Sequence, residues 1–201
     1  MRLGVFGGTF DPVHIGHLRL AENAREDEAL SLDKVLFVPA GEPWRKKDRL
    51  VSAAAHRATM LRLAIEGNDA FELSTIEVER EGPSYTVDTL EALGKQHPGA
   101  ELFLIMGEDA LADLPNWHEP AQIMSLAKLA VASRGDSSPE RLDAIQKVLP
   151  EIMASVVSVP MEVLQISGSL IRESVRRGRS IRFLVPPAVE AYIHERALYR
   201  D

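Results

Sequence analysis

The sequence predicts an α/β protein, a three-layer sandwich in which a mostly parallel sheet carries helices on both faces. Three observations predict it. Short apolar segments alternate with longer amphipathic ones along the chain, and strands separated by helical segments imply right-handed crossovers between parallel neighbours. Leu3–Phe6 and Leu102–Met106 are almost continuously apolar, as strands buried on both faces are. The polar, glycine-bearing motifs Gly7–His17, Pro39–Lys47 and Gly107–Asp109 each follow a predicted strand, where ligands bind in open parallel sheets.

Arg2–Phe6 is the first strand, and Gly7-Gly8 ends it. A turn through Asp11-Pro12 leads into a helix that starts between Pro12 and Gly16, carries Leu18, Leu20, Ala21, Ala24 and Ala29, and ends near Leu30. Lys34–Val38 is the second strand, closed by Pro39. A polar loop, Ala40–Arg49, precedes a helix from about Ser52 to Glu66, apolar at Met60, Leu61, Leu63, Ala64 and Ile65. Phe71–Leu73 and Thr75–Glu79 read as short extended pieces, Val87–Gln96 as a helix and Glu101–Met106 as a central strand. Asp109–Leu114 and Pro120–Leu126 are short helices, Lys128–Ala132 is a strand and Arg134–Pro139 a loop. Arg141–Val148 is helical, Val156–Val159 extended, and Ser169–Arg177 and Pro187–Glu195 are helices. No internal repeat or low-complexity linker interrupts the series. We expect one Rossmann-like domain over 1–201, with a small helical portion at about 167–201.

Composition narrows the function. At 201 residues the chain can bury a sizeable core, and 45% hydrophobic with 26% charged residues is ordinary for a globular protein. A formal charge of −7 argues against a general nucleic-acid surface, which needs a basic face. With no cysteine there is no disulfide framework, thiol nucleophile or cysteine-based zinc site. No signal peptide or membrane-length apolar run is evident, so a cytoplasmic enzyme of small molecules is expected.

The richest segment is Leu3-Gly-Val-Phe-Gly-Gly-Thr-Phe-Asp-Pro-Val-His-Ile-Gly-His17. His14 and His17 are three apart at the opening of a helix, so they share a face. Gly16 removes a side chain between them, and the helix N-terminus adds N–H groups and partial positive charge. Two imidazoles, bare backbone and a helix start describe a polyphosphate receptor. The segment lacks the Gly-x-Gly-x-x-Gly of dinucleotide folds and the lysine of the P-loop.

At these residues the chain resembles the nucleotidylyltransferase superfamily, whose His-x-Gly-His signature is shared with class I aminoacyl-tRNA synthetases. Within it, Ile166-Ser-Gly-Ser-Leu-Ile-Arg172 resembles the Ile-Ser-Ser-Thr-x-Ile-Arg motif of bacterial nicotinate-nucleotide adenylyltransferases. Pro39-Ala-Gly-Glu-Pro-Trp-Arg-Lys46 is similar to that family's substrate loop, and Gly82-Pro-Ser-Tyr-Thr-Val-Asp-Thr-Leu90 to its Ser-Tyr-Thr-x-x-Thr-Leu. Met106-Gly-Glu-Asp-Ala-Leu, with Asn116-Trp117-His118, resembles its Gly-x-Asp…Trp pattern, and Leu184-Val-Pro, Tyr192-Ile and Leu198-Tyr199 resemble its ending. The likeness runs from about Arg2 to Tyr199. Gly168 and Ser169 depart from it where Ser-Thr is commoner, as do Trp44 and Arg45 where Pro-His precedes the lysine.

The resemblance implies adenylyl transfer from ATP to nicotinate mononucleotide, giving deamido-NAD and pyrophosphate, with Mg²⁺ brought by ATP and no protein metal site. The attacker is already a phosphate oxygen, so the reaction needs positioning and charge neutralisation rather than a protein nucleophile. His14, His17 and Arg172 are expected to be catalytic. ATP is expected at Gly7, Gly8, Thr9, Phe10, Gly16, Gly107, Asp109, Ile166, Ser167 and Ser169. The mononucleotide is expected at Lys46, Ser84, Tyr85, Thr86, Trp117, His118 and Arg134. Asp109 reads either as a helix N-cap or as a ribose ligand, and Trp117 as a core aromatic or a stacking plate for the pyridine ring. His56, His97 and His194 follow no metal spacing and read as structural. Neither nucleic acid nor membrane is an expected partner, and a homo-oligomer is compatible with the sequence. The alternatives are a phosphopantetheine adenylyltransferase-like enzyme, which usually carries Thr at position 14, and a non-catalytic nucleotide sensor. A class I synthetase fragment would need a Lys-Met-Ser-Lys-Ser loop that the chain lacks.

Overall fold

The computed structural model of the chain describes residues 1–42, 51–133, 147, 152–161 and 164–200. Within them the strands are β1 (Arg2–Gly8), β2 (Lys34–Pro39), β3 (Phe71–Leu73), β4 (Glu101–Gly107), β5 (Lys128–Ser133) and β6 (Val156–Pro160). The helices are α1 (Ile15–Glu26), α2 (Ala54–Ile65), α3 (Thr86–Gln96), α4 (Glu108–Asp113), α5 (Pro120–Leu126), α6 (Ile152–Ser155), α7 (Gly168–Arg176) and α8 (Pro187–Glu195). The strands form one sheet in the order β3-β2-β1-β4-β5-β6, and every described pair is parallel. The order reverses between β1 and β4, where Leu3 lies opposite Leu102 and Val5 opposite Leu104. That reversal opens a crevice at the carboxyl ends of the two central strands.

Side chains alternate across the sheet. Phe6, Phe37, Phe103 and Ile105 face the layer of α1, α2, α7 and α8, packing with Leu20, Met60, Ile171 and Ile193. Leu3, Val5, Leu36, Leu104 and Met106 face the other layer, with Leu90 and Leu93 of α3, Leu111 of α4 and Ile123 of α5. Burying both faces accounts for the unbroken apolar strands. Helices α7 and α8 pack into the same cluster as the sheet, through Ile171, Val175, Val189 and Ile193.

Several expected boundaries shift. The first helix ends at Glu26, because Asp27 leaves the helical region and its carboxylate accepts from the backbone N–H groups of Ala29 and Leu30 in a turn. Thr75–Glu79 is a turn rather than an extended piece: Glu79 N–H donates to the Thr75 carbonyl at 2.9 Å, and the Thr75 hydroxyl to the Glu79 carboxylate at 2.6 Å. Polar side chains bonding local groups beat the β propensity of Thr, Ile and Val. The short helix α6 carries no distinct sequence signal. The loop expected at Arg134–Pro139, and the helix at Arg141–Val148 apart from Lys147, lie outside the described residues.

Candidate active site

Two cavities open at the carboxyl end of the sheet and share Thr9. The smaller, about 220 Å³, is lined by Phe10, Asp11, His14, His17, Ile166, Ser167, Gly168, Ser169 and Arg172. It brings both histidines together with an arginine and serines from near the other end of the chain. The larger, about 570 Å³, is lined by Gly7, Gly8, Ser84, Tyr85, Thr86, Met106, Gly107, Trp117 and His118.

His14 is the N-cap of α1, in extended conformation, and His17 is its third helical residue. Their rings stack with centroids 3.6 Å apart and planes at 20°. The His14 backbone N–H donates to His17 Nδ1 at 3.2 Å, which leaves the neutral His17 ring's proton on Nε2. Phe10, 2% exposed, meets the His17 ring edge-on at a centroid distance of 5.0 Å. It does so with a left-handed φ of 49°, a conformation that costs an aromatic residue about 1–3 kcal/mol. His14 Nδ1 is buried with no hydrogen-bond partner among the described residues, and burial lowers the ring's pKa to about 4. Gly16 leaves room for the His14 ring. A Cβ there would stand 3.2 Å from His14 Nδ1.

Arg172 comes from α7. Its Nη1 donates to the Asp11 carbonyl at 2.6 Å and its Nη2 to Ser169 Oγ at 3.5 Å. Ser167 caps α7 by accepting from Leu170 N–H at 3.2 Å, so its hydroxyl proton remains available to donate. A Cβ on Gly168 would lie 2.8 Å from the Asp11 carbonyl oxygen. Glycine at this position therefore lets the start of α7 approach the Asp11 loop, which gives the departure from Ser a physical reason.

The larger cavity has an aromatic rim. Tyr85 and His118 rings lie 4.4 Å apart at 32°, and Trp117 Nε1 donates to Asp113 Oδ2 at 3.2 Å. Trp117 is half-buried against the α3–α5 layer, so it is both core and cavity wall. Inside lies Glu77, 7% exposed, which accepts from Thr89 Oγ1 at 2.7 Å. Burial pushes the Glu77 carboxyl up, opposed by the Thr89 and Ser84 hydroxyls. Ser84 Oγ also accepts from Gly41 N–H at 3.0 Å, tying this wall to the loop after β2.

Not every expected site residue converges. Asp109 is exposed in the first turn of α4, lines neither cavity, and is not a cap: Gly107 takes that position. Lys46 and Arg134, with Trp44 and Arg45, lie outside the described residues. His56 bonds the Tyr192 hydroxyl through Nδ1 at 2.9 Å, away from either cavity. Sequence reasoning missed Arg57, 1% exposed, whose guanidinium donates to the carbonyls of Ser52, Thr9, Ala40 and Gly41 and so knits both substrate loops to α2. Its signal was present, since Arg57 stands three and four residues before the core-facing Met60 and Leu61. Asp11, Glu77 and Tyr199 were also missed as parts of the site.

A crevice at the sheet's switch point, joined to imidazoles, hydroxyls and a guanidinium at two helix starts, defines a nucleotidyltransferase. The cytidylyltransferase-like family model matches residues 5–174. A relative from Thermomicrobium roseum, described as "Probable nicotinate-nucleotide adenylyltransferase", is 48% identical over 99% of this chain and 92% of its own. One from Roseiflexus with the same description is 45% identical, covering 98% of each chain. This chain belongs to the nicotinate-nucleotide adenylyltransferase family of cytidylyltransferase-like enzymes. In fold it is similar to the nicotinic acid mononucleotide adenylyltransferase of Plasmodium falciparum complexed with NaAD, with a TM-score of 0.78 at 19% identity over 98% of this chain and 97% of that one.

Proposed function

We propose that the enzyme transfers the adenylyl group of ATP to nicotinate mononucleotide, giving deamido-NAD and pyrophosphate in NAD biosynthesis. A phosphate oxygen of the mononucleotide forms the new bond to the α-phosphorus. The bond from that phosphorus to the bridging oxygen breaks, and its electron pair leaves with pyrophosphate. The observation that carries this reading is the meeting at Thr9 of a donor-lined cavity and an aromatic-rimmed one. The first suits a triphosphate, the second a pyridine ring with its ribose, and the reacting phosphates meet between them.

In this reading His14, His17 and Arg172 act on the triphosphate, with the hydroxyls of Ser167 and Ser169 and the backbone at Gly7, Gly8 and Thr9. Ser84, Tyr85, Thr86, Trp117 and His118 receive the mononucleotide. The helix start at Thr86 offers N–H donors that satisfy a carboxylate but oppose an amide NH₂. Among the described residues no cluster of three or more acidic, histidine or cysteine side chains could hold a metal. Magnesium would come with ATP as part of the substrate and would supply neutralisation of phosphate charge beside His14, His17 and Arg172. We place the enzyme in the cytoplasm as a single domain over 1–201, with its helical portion at about 167–201 completing the site. Among the described residues no helix is long and apolar enough to cross a membrane.

Pyrophosphate release with ATP, Mg²⁺ and either mononucleotide tests the proposal. One or two charge-assisted bonds, about 1.5–3 kcal/mol each, give the acid a kcat/KM about tenfold to about 10⁴-fold above the amide. Equal values, or a preference for the amide, would sink the assignment of the larger cavity.

A further inference from the structure

Arg172 reaches the smaller cavity through the backbone of a residue that itself carries a negative charge. Its described hydrogen bonds go to the Asp11 carbonyl and to Ser169 Oγ, both neutral acceptors, with no described carboxylate bonded to it. The Asp11 carboxylate belongs to the same residue as that carbonyl and is 7% exposed. Rotated towards Arg172, it would pair with the guanidinium and cancel the charge that the triphosphate needs. Two neutral donors hold it elsewhere, on the side of the buried Arg57 guanidinium, whose charge also acts on it. Ser52 N–H donates to Oδ2 at 3.2 Å, and Tyr199 Oη donates to Oδ1 at 2.6 Å. The Tyr199 contact spans 188 positions of sequence, and Tyr199 has a left-handed φ of 63°. A non-glycine residue held in that region is over-determined by its surroundings, and such strain clusters at functional sites.

We propose that Tyr199 is a positioning residue for adenylyl transfer: its hydroxyl restrains the Asp11 carboxylate so that Arg172 presents an unneutralised guanidinium to the phosphates. This rests on the reading of Arg172 as a catalytic residue. Tyr199 touches no substrate in this scheme. It acts through Asp11 on the orientation and net charge of another side chain, and a network of this kind shifts rates modestly rather than abolishing them.

The test is a double-mutant cycle with kcat and both KM values measured, and thermal unfolding as the control for folding. Tyr199→Phe removes one oxygen and keeps the ring's packing. It should lower kcat by about threefold to thirtyfold with the KM for nicotinate mononucleotide unchanged. Arg172→Ala should lower kcat further, and the double variant should match Arg172→Ala alone, because a restraint on an absent guanidinium has no effect. Adding Asp11→Asn to Tyr199→Phe should raise kcat again, since an amide cannot neutralise Arg172. Wild-type kcat in Tyr199→Phe, multiplicative losses in the double variant, or no recovery when Asp11→Asn is added would overturn the inference. An Arg172→Ala enzyme with wild-type kcat would instead overturn the catalytic reading of Arg172 itself.

Discussion

His14 makes the fold sensitive to pH in a window that can be worked out. In the unfolded chain its imidazole titrates near 6.5, whereas burial lowers it to about 4 in the folded protein. At pH 8 both states hold it neutral and it contributes nothing to the balance. As pH falls through 6.5 the unfolded chain takes up a proton that the folded protein refuses, so stability declines. The loss levels off below about 4, where the folded ring is protonated too. The full interval is worth about 3–4 kcal/mol at about 1.4 kcal/mol per pH unit, and most of it is gone by pH 4.5. Denaturant unfolding of the wild type and of His14→Gln between pH 8 and pH 4.5 reports the effect, because groups remote from His14 cancel in the difference. The wild type should lose about 2–3 kcal/mol relative to the variant across that range. A difference that stays flat to within about 0.5 kcal/mol would refute the assignment of His14 as a desolvated, neutral ring.

Direct displacement predicts that labelled ATP and Mg²⁺ without nicotinate mononucleotide leave no adenylyl group on the protein; a covalent adduct seen by intact-mass spectrometry would overturn the mechanism. A Cβ on Gly41 would run into the Glu77 backbone carbonyl and press on Ser84 Oγ at 3.2 Å. Gly41→Ala should therefore cost about 1–3 kcal/mol in thermal or denaturant unfolding, as overpacking does. It should also raise the KM for nicotinate mononucleotide more than that for ATP; an equal rise in both would detach Gly41 from the larger cavity.

Patterned features were legible in the sequence. Alternating apolar and amphipathic segments anticipated every strand of the sheet, because strands buried on both faces admit few polar residues. The His14-x-Gly-His17 spacing anticipated paired rings at a helix start, although His14 stands at the cap and Gly16 makes room for its ring. Illegible features depend on which loop meets which. Thr75–Glu79 has strand-like composition and folds as a turn through its own side-chain hydrogen bond. Asp11 looked like a turn residue, and only the folded chain brings Tyr199 and Ser52 to its carboxylate. Arg57's place on the core-facing side of α2 was legible, but its role appears only once three loops deliver four carbonyls to one guanidinium. Asp109 had a motif in its favour but sits outside both cavities.

The central claim is that the imidazoles and Arg172 stabilise charge developing on the transferred and leaving phosphates rather than simply holding ATP. The most direct measurement is the kcat of His17→Ala beside its Kd for ATP. The account predicts a fall in kcat of roughly 10²–10³-fold, as for loss of one oxyanion-stabilising donor, with a much smaller change in ATP binding. An unchanged kcat with only a weaker KM for ATP would contradict it.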